Sequence, residues 1–146
     1  MKVVKATLDN LKEIAPLFDR YRVFYKQESD QDAAFNFLKE RFTKNESVIF
    51  FAKENNNVLG FAQLYFSFSS VSLQASLVLN DLYVDTPYRK KGVGEALLNE
   101  AKKFCISENQ KGLALETAID NPAQKLYEKL GWEKDTHCYH YFWSAK

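Results

Sequence analysis

The chain has 146 residues, 46% of them apolar and 27% charged, and carries a net charge of +1. That length suits one domain with a real core, residues 1–146 as a single unit, and the near-neutral balance argues against a general nucleic-acid-binding surface. No apolar run reaches membrane-spanning length, Lys2, Lys5 and Asp9 spoil any signal peptide, and Cys105 and Cys138 lack metal or redox spacing, so a cytoplasmic protein is expected.

Val3 to Ala6 reads as a short first strand. Thr7 or Asp9 is placed to cap a helix in which Leu11, Ile14, Ala15, Phe18, Tyr21 and Tyr25 recur at helical spacing. Most of that stripe is core, and its aromatic end, Tyr21 to Tyr25, can border a pocket. Gln27 to Asp30 reads as a loop. A second helix carries Ala34, Phe35, Leu38 and Phe42 up to about Asn45. Ser47 to Lys53 is a buried strand, and Asn55-Asn56-Asn57 suits a hairpin turn because Asn tolerates left-handed backbone angles. Val58 to Phe68 is the partner strand. A serine-rich bend, Ser67 to Ser72, leads to a longer strand from Leu73 to Val84.

Pro87 lacks an N–H and ends that strand. Arg89, Lys90 and Lys91 follow, then Gly92-Val93-Gly94 and the start of a helix. A glycine-relaxed turn at a helix N-terminus presents free N–H groups and the positive end of the helix dipole, which suits a phosphate. Neither the mononucleotide loop nor the dinucleotide fingerprint matches, since no Gly-Lys-Ser/Thr ending and no third glycine are present. The helix buries Val93, Leu97, Ala101 and Phe104, widened by Leu98 and Cys105, which makes Cys105 a packing thiol. Gly112 precedes a strand from Leu113 to Thr117, expected parallel to the one before it. Asn121 and Pro122 open a last short helix with Ala123, Leu126, Tyr127 and Leu130 on its apolar face and Gly131 at its C-terminus. Trp132 and Tyr139 to Trp143 suggest terminal strands. His137 and His140 would point to opposite faces of such a strand, a poor chelating pair, so no metal site is expected. The aromatic run from Tyr139 to Trp143 suits a subunit contact.

The pairing of Leu82-Tyr83-Val84 and Arg89-x-x-Gly92-x-Gly94 with Ala123-x-x-x-Tyr127-x-x-x-Gly131-Trp132 resembles the GNAT superfamily of N-acetyltransferases over nearly the whole chain. Leu79 to Val84 and the Phe66 to Ser70 bend look like its small branch of histone, polyamine and D-amino-acid acetyltransferases. The resemblance implies an α/β (α+β) fold: a mixed, mostly antiparallel sheet with a parallel splayed strand pair, flanked by about four helices. It implies acetyl-CoA, with its diphosphate on the backbone from Lys90 through Gly92 and Val93 to Gly94 and Glu95, beside Arg89 and Lys91. The pantetheine arm would pair with Leu82, Tyr83 and Val84, an expectation that agrees with the need of open strand N–H groups for a partner. Asn121 would approach the pantetheine end and Lys129 a phosphate.

A neutral amine then attacks the thioester directly, giving an oxyanion that backbone N–H near Leu82 or Val84 could stabilise. Tyr127 stands at the family position of the general acid, and a phenol of pKa about 10 can protonate a thiolate whose thiol has a pKa of about 8.5. Asp81 and Glu116 are the candidate bases. Simple alternation puts Asp81 and Tyr83 on one face and Asn80, Leu82 and Val84 on the other. Asn80 stands where polyamine acetyltransferases commonly carry an acid, which weakens that acceptor. The last helix also looks one residue short between its Asn and its Tyr, leaving Asp120 or Asn121 in the family's asparagine position. A small primary amine is the expected acceptor, bordered by Tyr21, Tyr25, Glu28, Asp81 and the Phe66 to Ser70 bend, with Asn80 and Glu116 nearby. A homodimer is expected, with no membrane or nucleic-acid partner. The open alternatives are a protein lysine or N-terminus as acceptor, and a non-catalytic acyl-CoA sensor.

Overall fold

The computed structural model describes all residues, 1–146, as two compact units, Met1–Glu116 and Thr117–Lys146. In the first unit five strands lie in sequence order: β1 (Lys2–Lys5), β2 (Ser47–Glu54), β3 (Asn57–Ser69), β4 (Gln74–Val84) and β5 (Leu113–Ala114). The first four pair antiparallel, and β5 joins β4 in parallel. Asn55 and Asn56 take φ of 49° and 67°, the left-handed pair that a two-residue hairpin between twisted strands requires.

Helices α1 (Leu11–Phe24) and α2 (Gln31–Thr43) cover one face of the sheet. Their Leu11, Ile14, Leu17, Phe18 and Leu38 join Ile49, Phe51, Phe61 and Tyr83 in one buried cluster. Helix α1 begins after a 3-10 turn at Leu8–Asn10, where the Thr7 N–H donates to Asn10 Oδ1 at 2.8 Å. The other face carries α3 (Val93–Ser107), which packs on β2, β3 and β4 through Val93, Leu97, Leu98 and Ala101. Cys105 is buried on that helix as expected, and burial pushes its thiol up, away from the reactive thiolate.

Two irregularities decide where side chains point. Gln63 pairs with Asp81 but Leu64 with Leu79, so Asn80 is an extra residue, a β-bulge. Leu77 and Leu79 therefore share the α3 face with Leu64, while Asp81 and Tyr83 turn to the α1 face with Gln63 and Phe61. Simple alternation keeps Leu79 and Asp81 together; the bulge separates them. Gly60 is the second. A Cβ there would sit 2.8 Å from the Tyr83 carbonyl oxygen and 3.2 Å from Val84 Cα, both backbone atoms that cannot swing aside. Gly60→Ala should cost about 1–3 kcal/mol in urea unfolding, as overpacking does; an unchanged midpoint would show that β4 yields freely.

The expected strand from Leu113 to Thr117 is shortened to the two residues of β5, because β4 offers pairing only at Leu77 and Val78. In the second unit, α4 spans Gln124–Lys129, starting later than Asn121-Pro122 suggests. Asn121 instead folds its Oδ1 onto the Ala123 N–H at 2.9 Å. Gly131 ends the helix with φ 103°, and the Trp132 N–H returns to the Tyr127 carbonyl at 3.0 Å, the left-handed close expected of this glycine. The expected strands at Trp132 and Tyr139 to Trp143 are not formed: the backbone after Gly131 is irregular. No helix is long and apolar enough to cross a membrane.

Candidate active site

Beyond Val78, no strand covers the outer edge of β4. Before the bulge, Ala75 and Leu77 face that edge, exchanging bonds with Lys111 and Gly112. Past it, the Asp85 N–H bonds the Leu59 carbonyl at 2.9 Å, so the antiparallel ladder puts residues 83 and 85 toward β3. Leu82 and Val84 therefore turn their N–H and C=O groups to the open edge. An extended, amide-bearing molecule can pair there as a strand would.

The edge leads into the turn at Asp85 to Gly92. The Asp85 carboxylate accepts from the Thr86 N–H at 3.1 Å and from Arg20 on α1 at 3.0 Å, pinning the turn to the helical layer. Lys90 has φ 61° and Gly92 φ 83°, and Lys90, Lys91 and Gly92 are exposed. The residues of α3's first turn, Val93, Gly94 and Glu95, follow directly, and Gly92 has no side chain to cap them. Arg89 is oriented differently from the two lysines. Its Nε donates to the Val84 carbonyl at 2.8 Å, and its guanidinium lies 5.3 Å from the Tyr83 ring centre and 5.6 Å from that of Phe24. The turn thus offers backbone N–H groups and two lysines to a diphosphate, while Arg89 braces the strand end.

On the α1 face, Asp81 is buried at 6% exposure. Gln63 Nε2 donates to its Oδ2 at 2.7 Å, Asn80 Nδ2 to its Oδ1 at 3.1 Å, and the Tyr21 hydroxyl is a third donor. Burial wins over these three donors and holds the carboxyl above its ordinary range. Its donor Tyr21 belongs to a run of rings: Tyr21 lies 5.1 Å from Tyr25 and 5.6 Å from Tyr83, and Phe24 lies 6.2 Å from Tyr83, centre to centre. Tyr65, half-buried nearby, is pushed up to about 12 by burial and then by the Asp81 charge.

The loop after α1 is held by Asp19, whose carboxylate accepts from Ser29 Oγ at 2.6 Å and the Asp30 N–H at 2.8 Å. Those bonds, with the Ser29 hydroxyl foremost, keep its carboxyl below the usual range. Glu28 sits in that loop, where its carbonyl accepts from Arg22 at 3.2 Å.

Tyr21 and Asn80 thus both reach Asp81, and Tyr25 packs edge-on against Tyr21. Phe66 is not among them. It pairs with Leu77 on the α3 side and lines a cavity with Lys5, Phe42 and Phe104. Glu116 is exposed, two residues past β5. Sequence reasoning missed Gln63, although a lone amide inside the apolar run from Leu59 to Leu64 was a readable signal. Arg20 and Asp85, 65 residues apart, gave none. In the second unit, Tyr127 stands on α4 with its ring edge-on to Trp132 at 6.1 Å, and Lys129 closes the helix.

A family model described as "Acetyltransferase (GNAT) family" matches residues 11–132. The chain belongs to the GNAT acetyltransferase family. An "Uncharacterized N-acetyltransferase YhfO" of Bacillus subtilis is 45% identical over 97% of this chain and 95% of its own. A "Probable acetyltransferase" of Haemophilus influenzae is 31% identical over 88% of this chain and 97% of its own. A crystal structure of a probable acetyltransferase, 38% identical, superposes with a TM-score of 0.94 over 100% of this chain and 99% of that one. The mixed sheet and its parallel β4–β5 pair are those of a GNAT acetyltransferase, and the chain's enzyme class is the N-acetyltransferases. GNAT acetyltransferases generally use acetyl-CoA. The residues present fit that group: an open strand edge for its amide-bearing arm runs into a cationic turn and helix start for its phosphates.

Proposed function

We propose that this GNAT enzyme acetylates the primary amine of a small molecule from acetyl-CoA, as a single-domain cytoplasmic homodimer. One observation carries the choice of acceptor: a buried carboxylate, Asp81, bonded to Tyr21, whose ring packs against those of Tyr25 and Tyr83. Amines arrive as ammonium ions, which such a carboxylate attracts by charge and such rings attract through their faces. Tyr21, Tyr25, Asn80 and Glu28 border that amine.

The cofactor supplies its acetyl group as an activated thioester. The backbone from Lys90 to Glu95 holds its diphosphate, with Lys90 and Lys91 adding charge, and Arg89 keeps the Val84 carbonyl in place. The Leu82 and Val84 N–H groups pair with its arm, and one of them faces the negative charge that develops on the acetyl oxygen. Asn121 and Lys129 contribute to holding the same molecule.

Asp81 removes the ammonium proton, since its raised carboxyl takes up a proton more readily than an ordinary one. Glu116 stands exposed, two residues past β5. The Tyr127 hydroxyl gives a proton to the departing sulfur.

Thiol release over an amine panel tests the acceptor. Small primary amines should turn over, and basic peptides or peptide N-termini should be far slower. Turnover confined to peptides would overturn the small-molecule reading.

A further inference from the structure

Gln63 stands fully buried in the middle of β3, beside the equally buried Phe61, Ala62 and Leu64. Its oxygen and its N–H₂ both lose water there, so an amide is costly unless each end finds a partner. The nitrogen end does: Nε2 donates to Asp81 Oδ2 at 2.7 Å. Oε1 is buried without a hydrogen-bond partner. A methionine or leucine would fill the same space with no orphan atom, so packing does not account for the amide. Asp81 does. The two residues pair across the ladder at the step where the Asn80 bulge shifts the register, and the bulge turns Asp81 to the face on which Gln63 lies. A local rule broken at a stability cost, beside a reacting group, is the mark of a functional position.

The donors on Asp81 are all neutral groups, two amides and a phenol. Burial disfavours the charged carboxylate, and of the donors that oppose burial Gln63 does most. Asn80, by contrast, is exposed and its bond is longer, at 3.1 Å. The other titratable groups on this side are Tyr21 and, behind it, Tyr25 from α1, Tyr65 from β3 and Tyr83 from β4, with Arg41 of α2 acting on Tyr65. Helix α3 packs on the opposite face through Val93, Leu97, Leu98 and Ala101, and β5 brings Leu113 and Ala114 to the strand edge.

We propose that Gln63 is a positioning residue for the proton step: its amide aims the Asp81 carboxylate and keeps it ionised for the incoming ammonium. The proposal rests on Asp81 as the base. There the ammonium N–H bond breaks, an O–H bond forms on Asp81, and the freed lone pair attacks the thioester; Asp81 returns the proton to solvent before the next turnover.

The test compares the full-length parent with Gln63→Met, which keeps the length of the side chain and has no amide, and with Gln63→Leu beside it. The rate profile uses acetyl-CoA and the acceptor that turns over fastest in the amine panel. A second readout needs no turnover: the carboxyl signals of ¹³C-labelled aspartate are followed against pH, that of Asp81 being the one which Asp81→Asn removes. With the amide gone, burial is opposed by less, so the Asp81 signal should titrate at higher pH than in the parent. The acid limb of kcat/KM should move the same way, giving a loss that narrows toward the alkaline plateau, which a merely structural defect would not do. An Asp81 signal that titrates as in the parent, or a loss equal at every pH, overturns the role of Gln63 and leaves Asp81 standing as the base. A displaced titration that the rate profile does not follow overturns both.

Discussion

Tyr127→Phe should lower kcat by about 10²- to 10⁴-fold, the range over which a positioned general acid acts. The variant keeps the ring, so the edge-on contact with Trp132 and the helix close through the Tyr127 carbonyl are retained. Its affinity for CoA should accordingly match the parent within error, with the folded fraction checked by the thermal midpoint. The loss also has a chemical signature. A thiolate leaving as the anion of an alkyl thiol benefits from protonation, whereas that of a far more acidic thiol does not. With an acetyl thioester of an aromatic thiol, the gap between parent and variant should shrink. Full activity of the variant with acetyl-CoA, or a deficit indifferent to the leaving group, would remove Tyr127 from the proton-donating role.

The turn after β4, proposed to hold the cofactor, was readable because its determinants are local. Pro87 stops a strand, Gly92 allows φ 83°, and the residues behind it form an amphipathic helix; each acts within a few positions of itself. The hairpin at Asn55-Asn56 is legible for the same reason. The surroundings of Asp81, proposed to meet the acceptor, were harder to read because pairing decides them. Asn80 looks like any strand residue, and only the register of β4 against β3 makes it the bulge that turns Asp81 toward α1. Gln63 becomes a donor to Asp81 through that register alone. The terminal strands failed in the opposite direction. Tyr139 to Trp143 has strand composition, but composition does not decide regular geometry, and the backbone there is irregular. Composition supplies a propensity; the ladder supplies the strand.

Asp81→Asn should make the protein more stable and the enzyme far worse. Burial raises the Asp81 carboxyl, so the folded state binds its proton more tightly than the unfolded chain does. The associated stability is complete below the ordinary carboxylate range, near pH 4, and is lost as pH rises through the higher folded value. Where Asp81 is ionised in the native state, its three donors do not fully offset the desolvation of the charge. An amide removes that charge. Gln63 can accommodate it, because its Oε1 is buried without a hydrogen-bond partner and a flip of the amide would turn that oxygen toward the new N–H₂. The variant's Tm should exceed the parent's at pH 7, and the difference should close as pH falls below the ordinary carboxylate range. Activity should move the other way, with kcat/KM down by about 10²-fold or more through loss of the base. On the acid side, the parent's log kcat/KM should fall with two protonations, of the amine and of Asp81, and the variant's with the amine's alone. A variant less stable at pH 7, or one that keeps the parent's acid limb, would show that Asp81 is a structural carboxylate and that the proton leaves by another route.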